Sequence, residues 1–457
     1  MTAVKPFGFE CAMAPPPANQ NIELSEKQQE ALDAFQAGKN VFLTGPGGSG
    51  KSELIRHMVL AAAESGKTVQ VCALTGCAAV LLNCPGAKTL HSWSGIGLAN
   101  DTNYRVVDRV VKNKFKRKTW NSVDVLIIDE VSMMSKKLFD ILDEIGRRSR
   151  KALNRPFGGL QVVFSGDFYQ LPPVGNSEDP DSSTFCFESD TWVETFDNII
   201  VLSRIFRQHD DAYAKVLNQI RVGKLSKSGF RLLSSRVGLE CDDRLLRPTI
   251  LMPRRRHVDM HNALELDKLE GEEHSFAVSI VRDAATSANA KSSTQFTDKQ
   301  VEQEYTFLKS SMMADQRLVL KVGTQVMCIA NLSMENGIVN GSQGVVTHFD
   351  CGLPVVEFRN GHTQRVGHHT WASDVVEGLG AKQIPLIHAW AITIHKAQGV
   401  TLELACIDVG SRIFEPGQTY VALSRVKSIE GLYLTAFDPQ KIQIKTKVKK
   451  FYQEHMV

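Results

Sequence analysis

The sequence predicts an α/β protein with two α/β domains, the second interrupted by a small β-barrel-like insert. Three observations lead there. Short apolar runs of strand length alternate with amphipathic helical stretches from Leu24 to about Leu202. The alternation begins again at Ile205, breaks near Asn262 and resumes from Ile384 to the C-terminus. Between them the pattern turns β-rich over Thr324–Trp371, where Asn340-Gly341 and Asn360-Gly361 give tight-turn signals beside apolar runs. Strand–helix alternation calls for parallel, doubly wound sheets. A chain of 457 residues leaves room for about three such units.

Taken in order, residues 1–23 are rich in Pro and Ala, with Pro15-Pro16-Pro17, and read as a disordered leader. Buried strands are expected at Val41–Thr44, Val69–Ala73, Val125–Ile128 and Gln161–Ser165. The stretch Val106–Trp120 crowds Arg109, Lys112, Lys114, Lys116, Arg117 and Lys118 around Phe115 and Trp120. Two readings of it stay open. One is a solvated helix face. The other is a small insertion that touches nucleic acid, with cations for the backbone and aromatics for the bases. Further on, Thr286–Lys299 is dense in Ser, Ala and Thr and reads as a loop.

Composition sets limits. Hydrophobic residues are 43% of the chain, enough for real cores. A formal net charge of +3 does not identify a nucleic-acid binder, so the placement of basic residues matters more than their sum. The 9 cysteines are odd in number and form no Cys-x-x-Cys pair, which argues against a disulfide framework and fits a reducing compartment. Cys77, Cys84 and His91 match no usual zinc spacing; small buried thiols are the simpler account. No apolar run reaches the ~20 residues of a membrane span, and the N-terminus lacks a signal layout. The expectation is a protein that neither spans a membrane nor is secreted.

Gly45-Pro46-Gly47-Gly48-Ser49-Gly50-Lys51-Ser52 fits G-x-x-x-x-G-K-[ST] in full, between an apolar strand and the helical run Glu53–Ala63. Glycines there let backbone N–H groups close around phosphate, and the helix N-terminus adds a favourable field. Lys51 is expected on the β- and γ-phosphates of ATP, and the Ser52 hydroxyl on Mg²⁺. Val125-Leu126-Ile127-Ile128-Asp129-Glu130 is a buried strand that delivers two acids at its C-terminal edge, where ligands bind in open α/β sheets. Asp129 is the candidate metal ligand, and Glu130 the group that orients and deprotonates the attacking water. These parts specify an NTPase and no more. Gln170, in Gly166–Val174 behind the strand Gln161–Ser165, has two readings: a simple polar loop residue, or a side chain held where it can sense the γ-phosphate.

Beyond this point resemblance carries the reading. Pro156–Gln161 running into Gly166–Val174 resembles the third motif of Pif-one-type helicases, of the Pif-one/RecD-like branch of superfamily one. Leu24–Gln28, Leu74–Ala79, Thr89–Gly97, Arg204–Gln208, Val339–Val346, Thr393–Glu403 and Gln418–Arg425 resemble other motifs of that family, in order and over nearly the whole chain. One departure stands out: Asp140-Ile141-Leu142 replaces the usual Asp-Lys-Leu, which puts any role at position 141 in doubt.

The resemblance implies two tandem RecA-like domains, at 24–202 and at 203–262 plus 384–457. It adds a small wedge insertion at about 98–120 in the first and an SH3-like β-barrel at 263–383 in the second. It implies ATP and Mg²⁺ between the domains, Gln28 on the adenine edge, Glu403 in the nucleotide site, and Arg207 and Arg425 as arginine fingers, against the plainer reading of structural salt bridges. It places Thr75, His91 and His395 on single-stranded DNA, and Phe115 or Trp120 where the duplex splits. The implied activity is a 5′-to-3′ ATP-dependent DNA helicase in genome maintenance: repair, recombination, telomere maintenance. Its substrates would be duplex, fork or structured DNA, with G-quadruplex and RNA–DNA hybrid included. A monomer or DNA-induced dimer is implied, in nucleus or mitochondrion if cellular and in the host cell if viral. An ATP-gated clamp and an RNA-directed helicase remain as alternatives.

Overall fold

The computed structural model describes residues 23–455, apart from 85, 98, 100, 177, 209, 242–245, 283–297, 374–375 and 377. The leader 1–23, save its last residue, lies outside the described residues, as does most of the expected loop Thr286–Lys299.

The first domain holds six strands: β1 (Val41–Thr44), β2 (Val69–Ala73), β3 (Lys88–Thr89), β4 (Val125–Asp129), β5 (Gln161–Gly166) and β6 (Asn198–Val201). They form one parallel sheet in the order β3-β2-β4-β5-β1-β6. The strand period of two explains its two cores. Val41, Leu43, Val125, Ile127 and Val163 face a cluster with Phe35, Leu54, Ile55 and Met58. Phe42, Leu126, Ile128, Val162 and Phe164 face the opposite cluster, with Phe139, Leu142 and Trp192. Burial on both faces is why β1 and β4 read as largely apolar runs. The helices include α1 (Glu26–Gln36), α2 (Lys51–Glu64), α3 (Gly76–Leu81), α4 (Leu90–Ser94), α5 (Asn103–Lys112), α6 (Lys114–Ser122) and α7 (Lys136–Ser149).

The basic stretch forms α5 and α6. Its expected role is corrected at three positions. Trp120 is 0% exposed, packs on Trp93 at 4.7 Å between ring centroids and donates its indole N–H to the Ser94 carbonyl at 3.2 Å. A ring so enclosed presents no surface to a base pair. Arg109 donates to the Ile96 carbonyl at 2.8 Å, and Lys116 to the Ser92 carbonyl at 2.9 Å, so the two cations pin the insertion onto α4 and the turn that follows it. Phe115 is 56% exposed. Ile141 is buried on α7 in the same core, which is why an apolar side chain serves at that position.

The second domain has a four-stranded parallel sheet in the order β18-β7-β19-β20, with β7 (Thr249–Met252), β18 (Ala391–Thr393), β19 (Ala405–Val409) and β20 (Leu432–Phe437). The helix Arg255–Asp267 runs past the expected boundary at 262. Asn262 on it exchanges hydrogen bonds with the Ala391 backbone at 2.8 and 2.9 Å. Between the two halves lie β8 (His274–Ala277), β9 (Ser279–Arg282), the helix Asp298–Ser311, and β10 (Arg317–Leu320). The strands β11 (Gln325–Cys328), β12 (Gln343–Asp350), β13 (Leu353–Phe358), β14 (Thr363–Arg365), β15 (His369–Ala372), β16 (Leu379–Gln383) and β17 (Leu386–His388) follow. Five of these make an antiparallel sheet, β14-β13-β12-β11-β17. Because β17 belongs to it, the insert reaches beyond 383.

The C-terminal helix Thr446–His455 is a second correction to the boundaries. It returns to the first domain, where Val448, Phe451 and Tyr452 join the core around Phe42, Phe168 and Trp192. Tyr452 and Thr44 share a hydroxyl–hydroxyl bond of 2.7 Å, and the Phe168 N–H donates to Tyr452 at 3.1 Å.

Candidate nucleotide and nucleic-acid sites

The loop between β1 and α2 closes by geometry only glycine permits. Gly48 has φ +81°, and a Cβ there would lie 2.4 Å from Cβ of Arg207, so the second domain rests directly on the loop backbone. The Phe206 N–H donates to the Gly48 carbonyl at 2.8 Å, and the Gly47 N–H to the Tyr420 hydroxyl at 2.9 Å. Lys51 Nζ donates to the Gly45 and Pro46 carbonyls at 2.8 and 2.9 Å. Burial lowers the Lys51 pKa, and the acids Asp167, Glu130 and Asp129 oppose that shift.

A cavity of about 330 Å³ opens over this loop. Lys51, Ser52, Asp129, Glu130, Gln170, Arg207 and Arg425 all line it, together with Gly47, Gly48, Ser49 and Gly50. Chain segments far apart in sequence and in two domains are thus brought to one point. Gly45 stands just behind, against the Leu202 carbonyl.

Asp129 ends β4 inside the sheet. Burial, and the Glu130 charge beside it, push its carboxyl up to about 6 against the opposing charge of Lys51. Such a group favours a neighbouring cation. Ser52 and Asp129 are hard oxygen donors of the kind Mg²⁺ takes, alongside phosphate oxygens. Glu130 sits at φ 57° and ψ 37°, a left-handed conformation that costs a non-glycine residue about 1–3 kcal/mol and clusters at functional positions. Its Oε2 accepts from Gln398 Nε2 at 3.0 Å, across from the second domain.

Arg207 and Arg425 converge on Gly47. Arg425 is 1% exposed and is held by the Val421 carbonyl at 2.9 Å and the Ser424 hydroxyl at 2.8 Å. Arg207 donates to the Ser424 carbonyl at 3.3 Å. Burial, and then the like charge of Arg425, bring its guanidinium down to about 10. Two cations held together in a low-dielectric cleft are complementary to a phosphoryl group between them. The partners seen for the two guanidinium groups are the Val421 and Ser424 carbonyls and the Ser424 hydroxyl. Gln170, 4% exposed, has a side-chain oxygen with no hydrogen-bond partner, which fits a group placed for a ligand.

The remaining expected residues fall around this centre. Gln28 is buried in α1. Its oxygen accepts from Ser25 N–H and hydroxyl at 2.9 Å, and its amide nitrogen faces Gly50. Glu403 does not line the same cavity. It lies in an adjoining one that shares Leu81 and Gly399, paired to Arg359 and to Lys427. Thr75 and His91 line one groove of about 800 Å³ on the first domain, with Lys137 and Val174. The Thr75 hydroxyl accepts from Ala78 N–H at 3.2 Å, and burial lowers the His91 pKa toward the neutral ring. His395, on the turn after β18, is half-buried, with its pKa lowered by burial against the pull of Glu415. It does not line that groove. Cys84 is buried, and burial raises its thiol to about 11.

Sequence reasoning missed Gln398, Tyr420 and Arg221. The first two lie inside quoted motifs, where their partners could not be seen. Arg221 ends an ordinary amphipathic helix, Asp211–Arg221, and carries no local signal.

The family profile described as PIF1-like helicase matches residues 23–229, and that described as DNA helicase Pif1, 2B domain, matches residues 306–349. Human ATP-dependent DNA helicase PIF1 is 34% identical over 435 residues, 94% of this chain and 63% of the relative. The chain therefore spans somewhat less than two thirds of that protein. The crystal structure of Pif1 helicase from Candida albicans is similar at TM-score 0.75 and 34% identity, over 95% of this chain and 100% of that one. Pif1 helicase from Bacteroides in complex with ADP-AlF3 and ssDNA is similar at TM-score 0.68 and 30% identity, over 95% of this chain and 98% of that one.

Proposed function

The chain belongs to the PIF1-like helicase family, and on that premise we propose that it is an ATP-driven motor that travels along single-stranded DNA and unwinds duplex ahead of it. The observation that carries this reading is the single cavity where loop, acids and Gln170 of the first domain meet Arg207 and Arg425 of the second. With cations supplied from the far side of the cleft, hydrolysis depends on cleft closure, and arginine fingers are worth about 10³–10⁵ in rate. Glu130 takes the proton of the attacking water; Lys51 and the two arginines hold the charge that develops on the phosphoryl group. Ser52 and Asp129 would hold Mg²⁺, which when bound neutralises phosphate charge.

DNA is proposed to run along the groove of Thr75 and His91 and onto the turn of His395. Opening and closing of the cleft would then shift one domain along the strand relative to the other. The ssDNA and ADP-AlF3 bound together by the Bacteroides relative support this pairing of ligands. A 5′-to-3′ direction, fork and G-quadruplex substrates, RNA–DNA hybrids and genome maintenance in nucleus or mitochondrion are proposed from the family alone. So are the reading of the inserted sheet as an SH3-like barrel and that of α5 and α6 as a wedge with Phe115 at its tip.

Strand displacement from duplexes with a 5′ or 3′ single-stranded tail, in DNA and in RNA, tests this. The expected result is ATP-dependent displacement from the 5′-tailed DNA. Binding with hydrolysis but no displacement would favour a clamp, and preference for an RNA tail would favour an RNA-directed helicase.

A further inference from the structure

Gln398 is buried at 3% exposure on the turn 394–399, which the second domain hangs between β18 and Val400. The turn is internally rigid: Ala397 N–H donates to the Thr393 carbonyl at 3.0 Å, Gln398 N–H to the His395 carbonyl at 3.1 Å, and Val400 N–H to the Ala397 carbonyl at 3.1 Å. Across the cleft, Gln398 Nε2 donates to Glu130 Oε2 at 3.0 Å. On the other side Glu130 has a left-handed backbone and stands at the mouth of the nucleotide cavity. Glu130 stands between the end of β4 and the 3-10 turn Val131–Met133, whose N-cap it forms without a side-chain cap hydrogen bond, so an external donor sets where its free oxygen points. Gly399, directly after Gln398, makes the approach possible, since a Cβ there would lie 2.9 Å from Leu81 and 3.9 Å from the Glu130 carboxylate.

We propose that Gln398 is a positioning residue for hydrolysis: it aims the Glu130 carboxylate, and because it shares a stiff turn with His395, it makes that aim conditional on nucleic acid. By occupying Oε2, the amide leaves Oε1 to take the proton from water. The contact exists only while the turn lies against the first domain, and a strand that spans both domains holds that arrangement. Stimulation of hydrolysis by DNA then passes through one hydrogen bond. The inference rests on the motor reading above.

The test compares Gln398→Met, which keeps the volume and removes the donor, with the unaltered chain, using ATP and a single-stranded oligonucleotide. A well-placed general base contributes about 10²–10⁴ in rate. Gln398→Met is expected to lower the DNA-stimulated kcat by about tenfold or more and the DNA-free rate by less than about threefold. KM for ATP and affinity for the oligonucleotide should stay within about twofold. Stimulation retained by Gln398→Met, or equal loss with and without DNA, overturns the inference. An unaltered chain whose hydrolysis ignores DNA overturns instead the reading beneath it, and the inference with it.

Discussion

Arg221 holds Asp167 across the boundary between the α/β domains with two hydrogen bonds, of 2.8 and 2.9 Å. Both side chains are buried, and the guanidinium lies 4.7 Å from the Tyr169 ring centroid and 5.7 Å from that of Tyr452. Asp167 also accepts from Tyr169 N–H at 3.2 Å, so the turn that carries Gln170 is tied to the second domain and to the C-terminal helix at once.

Arg221→Met is therefore expected to destabilise the chain by about 3–5 kcal/mol, because it strands a buried carboxylate. Adding Asp167→Asn should restore part of the loss, since the two sites are coupled. Thermal melting of the two variants beside the unaltered chain measures it; a single variant that melts like the unaltered chain would show that the pair is not a structural tie.

Lys51→Ala should abolish ATP hydrolysis while the protein stays folded, because the ammonium contacts only loop carbonyls and faces the cavity rather than a core. Circular dichroism and a turnover assay check the two halves. Turnover near that of the unaltered chain would remove the loop from the mechanism.

Glu130→Gln should keep ATP and Mg²⁺ binding and stop turnover, since the amide fits the same space but takes no proton. Asp129→Ala should weaken nucleotide binding in the presence of Mg²⁺. Isothermal titration separates the acids, and equal loss of affinity in both variants would contradict the division of labour.

The wedge proposal now rests on Phe115 alone. Phe115→Ala should slow unwinding and leave DNA-stimulated hydrolysis nearly intact, stacking on a base being worth about 1–3 kcal/mol. Trp120→Ala should instead lower the melting temperature, at a cost of about 3–5 kcal/mol for a buried aromatic. Parallel loss of unwinding and hydrolysis in Phe115→Ala would count against the wedge.

The two α/β sheets and the nucleotide loop were legible because their signals are local. The strand run at 41–44 is apolar at three of its four positions, and eight consecutive residues state the loop. Trp120 misled because its neighbours are charged: Lys116, Arg117 and Lys118 suggested a surface, whereas Val106, Val107 and Val110 on α5 form the floor it covers. The C-terminal helix was assigned to the nearer domain in sequence, since nothing in Thr446–His455 states that Phe451 will pack on Phe42, some four hundred residues away. Gln398, Tyr420 and Arg221 were invisible for the same reason: each acts through a partner in the other domain.

The most direct test of a DNA-driven motor is the rate of ATP hydrolysis as single-stranded DNA is added, at low and at higher salt. The account predicts a strong rise that saturates with DNA, and a DNA concentration for half-saturation that climbs with salt as phosphate contacts give up their counterion release. A rate that is the same with and without DNA at every salt concentration would contradict it.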